Sequence, residues 1–423
     1  MPPPNAPSGD RLAWTPGLVT AACLVICLIY GAWQLSPVFW SQAGNDSRVF
    51  YAAARLASSG DNPYDFGRLA AVEAQVNAEA RAAGSGRDSL SPNEYHYPPV
   101  MTRAFIALAP LGDFGFLVAV SLLALVAGVI GFELILSALH WRGRWLPRLF
   151  FVVSLPMLTV LSSGNPATLL LLPWGGAFVA SRRGRPLVAG MLLAACWIKP
   201  PVGVPVAVAL LVLERARWRP MLAGLAIGTA VFAGANVAAG GVDGTLAWLR
   251  SLVDFSATIN ANQTAVIQQR FLAGLSAPLF FLGPLAAGAI AVAVVTVVLL
   301  WARRGGPLGG GGDRAPLGLA LLTAAALAVA PYIHTYDLVL MAAPVLVLSG
   351  LPLTTLNRGV LLLWALAPVL NLGVVLAVVA VTGSLDTSWS FAAGLNALTL
   401  LAVAIAAGHA RRATTPATQP ATA

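Results

Sequence analysis

Apolar runs recur along almost the whole chain, at about 17–36, 114–139, 149–162, 165–180, 187–199, 201–213, 221–240, 284–301, 316–332, 338–351, 359–382 and 390–408. Such runs predict helices in a bilayer, where about 20 residues span the hydrocarbon. The four between 149 and 213 are shorter than that. Taken singly they give about twelve crossings; joined as 149–180 and 187–213 they give ten. Arginines separate the two readings. Arg142, Arg144 and Arg148 precede the first short pair, Arg182, Arg183 and Arg185 lie between the pairs, and Arg215, Arg217 and Arg219 follow. If each pair is a hairpin, all three clusters face the cytoplasm, as the positive-inside rule requires. If each pair is one helix, the middle cluster falls outside. The pattern predicts an all-α integral membrane protein, a bundle of about twelve transmembrane helices, several short or broken, with both termini cytoplasmic.

Around this membrane domain, 17–408, lie a polar, Pro-rich cytoplasmic N-terminus, 1–16, and a disordered cytoplasmic tail, 409–423. No Ala-x-Ala-like site closely follows the first run, so it reads as an uncleaved anchor. The first external loop, about 36–98, contains apolar stretches such as Val49-Phe50-Tyr51-Ala52-Ala53-Ala54. A loop this long is functional or disordered, and its apolar content predicts a partly helical segment folded against the membrane surface. The second external loop, about 241–270, is polar and rich in Asn and Gln. The Gly-rich run at 305–312 lacks a following Gly-Lys-Ser/Thr and reads as a linker, not a phosphate loop.

Composition narrows the class. The 423-residue chain is 58% hydrophobic and 10% charged, against about a quarter charged in globular proteins. That excludes a soluble enzyme or a nucleic-acid-binding domain. The net charge of +9 would suit a polyanion partner in a soluble protein, but here topology absorbs it. The cytoplasmic side carries sixteen arginines against Asp10, Glu214 and Asp313; the outer side carries seven arginines against twelve acids. Cys23, Cys27 and Cys196 lie in apolar runs without metal-ligand spacing.

Polar residues beside or within apolar runs are costly, about 2.5–3.5 kcal/mol for a charge on insertion scales. Lys199 is the single lysine among the basic residues. It precedes two prolines at the outward tip of the second short pair, where it either snorkels to the interface or meets an anionic lipid headgroup. Asp46, some ten residues past the first helix, is a solvated loop charge or a carboxylate able to take a proton from a hydroxyl. Its neighbour is Asn45, not a second acid, so a dedicated divalent-metal site is disfavoured. His334 and Asp337 are three residues apart and share a turn that can orient the imidazole or simply cap a helix. Asn165, at the tip of the first short pair, is a sugar-hydroxyl ligand or a helix cap. Asn262 and Gln263 are polar ligands or surface, and His96 and Tyr97 in Tyr95-His96-Tyr97-Pro98-Pro99 are ligands or interfacial belt residues. Glu133 falls toward the cytoplasmic half of its helix, paired. In the twelve-helix arrangement Asp46, His96, Asn165, Lys199, Asn262 and His334 all project outward.

Together these stretches resemble glycosyltransferase family 87 (DUF2029) of the GT-C superfamily: Asn45-Asp46 with Tyr51-Ala52-Ala53, Asn62-Pro63-Tyr64-Asp65, Tyr97-Pro98-Pro99, Gly164-Asn165, Lys199-Pro200, Asn262-Gln263 and Pro331 through Asp337. The resemblance implies a multi-pass plasma-membrane enzyme that moves a sugar, mannose or arabinofuranose, from a polyprenyl-phosphate donor to an envelope glycolipid or glycan acceptor on the extracytoplasmic side. Besides the two substrates its partners are membrane lipids; it implies no cofactor beyond the donor. It makes Asp46 the general base and His334 a second catalytic residue. Lys199 then binds the donor phosphate, and Asn165, His96, Tyr97, Asn262, Gln263 and Asp337 bind substrate. The competing class is a transporter or lipid-linked sugar flippase, since broken helices also line substrate paths.

Overall fold

The structure, a computed structural model, describes residues 44–84, 93–139, 145–261, 315–330, 333–351, 354–382 and 392–412, with the helical residues Ala21, Val25, Leu28 and Ile29. Asn262, Gln263, the run at 284–301, most of the first run, the Gly-rich linker and both chain ends lie outside the described residues. Those described are built from helices and turns, without an extended strand.

Two helices fill much of the first loop: α1, Asn45–Ser58, and α2, Phe66–Ala82. Helix α1 buries Val49, Phe50, Ala52, Ala53, Ala54 and Leu56. Its Phe50 ring stacks on Phe105 at 5.1 Å and meets Tyr97 edge-on at 4.9 Å. Phe105 belongs to α3, Pro99–Leu108, which starts where the extended Pro98 hands over to a proline at the first turn. A short 3₁₀ turn leads into α4, Gly112–Ala138. This helix is apolar all round, as one packed on protein and lipid must be. It buries Ala124, Ala127, Gly128 and Gly131 while exposing Leu122, Leu123, Val126 and Ile130.

Helices α5, Trp145–Val152, and α6, Leu155–Ser163, meet at a bend of 47°. Next come α7, Thr168–Arg182, which packs on α4, and α8, Pro186–Leu193. A 3₁₀ segment, Ala194–Ile198, then breaks at Lys199 before α9, Pro200–Leu213. Helix α10, Trp218–Ala261, lies against α8 so closely that a Cβ at Gly190 or Gly224 would strike the partner's backbone. Helix α11, Ala315–Val329, the 3₁₀ segment Thr335–Met341 and α12, Ala342–Gly350, follow; α13, Thr355–Thr382, and α14, Ala392–Arg412, complete the described chain. The main core joins α6, α7, α11, α12 and α14 around the Thr335–Met341 segment, with α9 packed on α11.

This is a membrane protein by the length and apolarity of its helices. Among the described residues, Pro99–Ala138, Arg215–Asp254 and Thr355–Val374 are long and apolar enough to cross, and the bent α5–α6 pair makes a fourth if it is one span. Among the described residues the twelve crossings of the sequence pattern are not confirmed. Two of the predicted runs fall wholly or mostly outside the described residues, and several others form apolar helices of 10–17 residues, below the ~20 needed. The segment expected as a polar loop from Gly241 is also different. It is helical to Ala261, and Gly241, at φ 71°, is a kink inside α10.

Candidate functional site

Helix α1 begins on the tip between α6 and α7. Gly44 donates its N–H to the Ser162 carbonyl at 2.7 Å. Gly164 follows at φ 66°, and a Cβ there would overlap Ser47 and Leu117. Glycine is therefore required twice over, for its left-handed backbone and for the close approach. The approach brings the Asn165 amide to Asp46, whose Oδ2 accepts from Nδ2 at 2.9 Å. Asn165 is 2% exposed, and its Oδ1 has no donor among the described residues. The helix-cap reading of Asn165 is thus overturned: α7 is capped by Ala167 without a side-chain bond. The amide points at the carboxylate instead.

Burial pushes the Asp46 carboxyl above the ordinary range, while the Asn165 hydrogen bond and the Lys199 charge pull it back. Both Lys199 and Asp337 act on it electrostatically. Lys199 Nζ is 2.6 and 2.8 Å from the two Asp337 oxygens and 4.4 Å from the Tyr336 ring centroid. The lysine is 12% exposed at the side chain and the aspartate 0%. Snorkelling is thus excluded; the cation is held inside the protein by a carboxylate 138 residues away. Asp337 also accepts the His334 backbone N–H at 2.9 Å, fixing the start of the 3₁₀ segment. Burial, then the Lys199 charge, push the His334 imidazole down to about 3, so it is neutral at physiological pH. The His334 and Tyr336 rings lie 5.0 Å apart.

Asp46, Asn165, Lys199, His334 and Asp337 thus form one connected group. Tyr97 instead packs on Phe50, with its carbonyl accepting from the Tyr64 hydroxyl at 2.8 Å. His96 lies 3.1 Å from Glu94, and its carbonyl accepts from Trp248 Nε1 at 3.0 Å. Glu133 pairs with Arg148.

One anchor of the site was not visible in sequence. Arg48, two residues past Asp46 and 1% exposed, pairs with Asp113 at 2.7 Å and bonds Asn77. It ties the start of α1 to α4 and α2. The one sequence signal that points to it is an arginine placed directly before the apolar run 49–54.

The sequence model described as glycosyltransferase family 87 matches residues 95–347, more than half of the chain. The chain belongs to glycosyltransferase family 87. No curated protein and no solved structure matches it. In this glycosyltransferase the matched stretch contains Asn165, Lys199, His334 and Asp337, while Asp46 lies upstream of it.

Proposed function

We propose that this glycosyltransferase takes a sugar, mannose or arabinofuranose, from a polyprenyl-phosphate donor. It passes the sugar to an envelope glycolipid or glycan on the extracytoplasmic face of the plasma membrane. Asp46 removes the proton of the acceptor hydroxyl as that oxygen attacks the anomeric carbon, and configuration inverts in one displacement. The observation that carries this reading is the Asp46–Asn165 pair. A half-buried carboxylate with a raised pKa is a competent base, and the Asn165 Oδ1 beside it, without a donor among the described residues, is an acceptor for a hydroxyl.

The departing phosphate is assigned to Lys199, with the neutral His334 as a second donor. An ammonium has three N–H donors. The Asp337 oxygens take two, which leaves one for a phosphate oxygen. Because the pair with Asp337 is net neutral, Lys199 attracts the donor less than a lone lysine would, but it is already in place and costs no reorganisation.

The test is transfer by purified protein from a panel of radiolabelled polyprenyl-phosphate sugars to membrane glycolipids. Asp46→Ala is expected to lose about 10²–10⁴-fold in rate with the fold intact. Near-wild-type transfer by that variant, or a product of retained configuration, would overturn the scheme.

A further inference from the structure

A cavity lies at the end of α1 away from Asp46. Its volume is about 350 Å³, within the range of small-molecule clefts. It opens between the α1–α2 turn, the exposed side of α3 and the Gly241 kink of α10, and its walls include Asp61, Tyr64, Arg103, Asp243 and Gly244. Three features build it. Gly240 packs so tightly on Pro99 that a Cβ would overlap the ring. The Gly241 kink then turns α10 across the cleft mouth. Asn236 accepts the Val100 N–H at 3.1 Å, and Trp248 donates to His96, which clamps the α3 start against both halves of α10.

The lining selects a ligand class. Among the described lining residues Asp61 and Asp243 face Arg103, and Arg68 pairs with Asp61 from outside the lining, so the wall has no excess of positive charge to hold a phosphate. Carboxylates and a guanidinium also make a poor wall for an acyl chain. Together with Asn62 they offer donors and acceptors in the alternation that neighbouring hydroxyls need. Tyr64 is held in one orientation by its bond to the Tyr97 carbonyl, and Arg103 and Asp243 are exposed.

We infer that this cleft binds the carbohydrate of the acceptor, a neutral, hydroxyl-rich chain, on the far side of the ring that receives the sugar. The inference rests on the transfer reaction proposed above. Ala57 lines the cleft, eleven residues along α1 from Asp46, roughly 16 Å at 1.5 Å per residue. That is too far for the reacting ring and suited to the residues that follow it. The enzyme then measures acceptor length along α1.

The test uses the full chain in detergent, with saturation-transfer NMR to neutral mannose and arabinofuranose tetrasaccharides. A Cβ on Gly244, a lining residue, meets nothing within 4 Å and its φ is not positive, so the backbone accepts a side chain there, and Gly244→Trp is the variant chosen to occupy the cleft. Asp243→Asn is a second, exposed change. Both are expected to weaken oligosaccharide binding by about tenfold or more, and to raise KM for a long acceptor while leaving donor KM and a monosaccharide acceptor unchanged. Asp46→Asn keeps oligosaccharide binding. If no polyprenyl-phosphate donor is used, yet binding is sensitive to Gly244→Trp, the reaction reading fails and the cleft stands. No saturation transfer to either tetrasaccharide, or equal transfer in wild type and both variants, overturns the cleft.

Discussion

The Asp46 carboxylate accepts the Asn165 amide at 2.9 Å across 119 residues of chain, so α1 and the α6–α7 tip share one hydrogen bond. That bond lowers the carboxyl pKa, while burial raises it above its ordinary 3.8. A base works only when deprotonated, so the acid limb of kcat/KM should lie above that value. Asn165→Ala removes a lowering contact and should move the limb to still higher pH. A limb that stays in place or moves down would separate Asp46 from the rate-limiting proton transfer.

Lys199 and Asp337 are expected to behave as a coupled pair. Removing one partner leaves a buried charge unpaired, at a cost of about 3–5 kcal/mol. Lys199→Met and Asp337→Asn should each lower the thermal midpoint. The double variant should recover most of that loss while donor use remains impaired. Recovery of donor KM along with stability would make the lysine purely structural.

Arg48 positions the helix that carries Asp46 without reaching the acceptor. Arg48→Met strands Asp113, whose side chain is 19% exposed, so the loss should fall near the lower end of that range, about 3 kcal/mol. Transfer should fall mainly in kcat, and Arg48→Lys should restore stability only in part, because an ammonium cannot form the same fork. Unaltered kcat in a folded Arg48→Met protein would remove the positioning role.

Glu73 on α2 is 2% exposed, accepts the Asn93 N–H at 3.1 Å, and is pushed by burial up to about 7 from 4.5. Between those values the folded chain keeps a proton the unfolded chain has lost. Stability from this group is therefore full below pH 4.5 and lost as pH rises through about 7. Glu73→Gln should flatten the fall in thermal midpoint between pH 5 and pH 8, followed by fluorescence in detergent. Equal slopes in the two proteins would assign the fall elsewhere.

Much of the helical, membrane-embedded character was legible in the apolar runs, because hydropathy reports burial directly. Lys199 stood out because a charge is costly beside apolar helices, whereas Asp46, Asn165, His334 and Asp337 were drawn together by the family resemblance and not by their local cost. What periodicity cannot carry is pairing. Nothing local to Asn165 says that its amide turns to Asp46 instead of capping α7, and nothing local to Lys199 names a carboxylate 138 residues on. The extension of α10 past Gly241 was hidden for another reason: glycine and polar residues read as a loop, yet a single left-handed residue kinks the helix and lets it resume.

The Lys199–Asp337 pair has a consequence for the order in which the chain is made. An emerging polypeptide inserts its only lysine long before its counter-charge exists, and every helix between them must be placed while that ammonium waits. A chain stopped short of residue 337 would carry Asp46 and Asn165 but an uncompensated cation among apolar helices, so chains truncated there are candidates for early removal by quality control, and the late helices complete the interior as well as lengthen the protein.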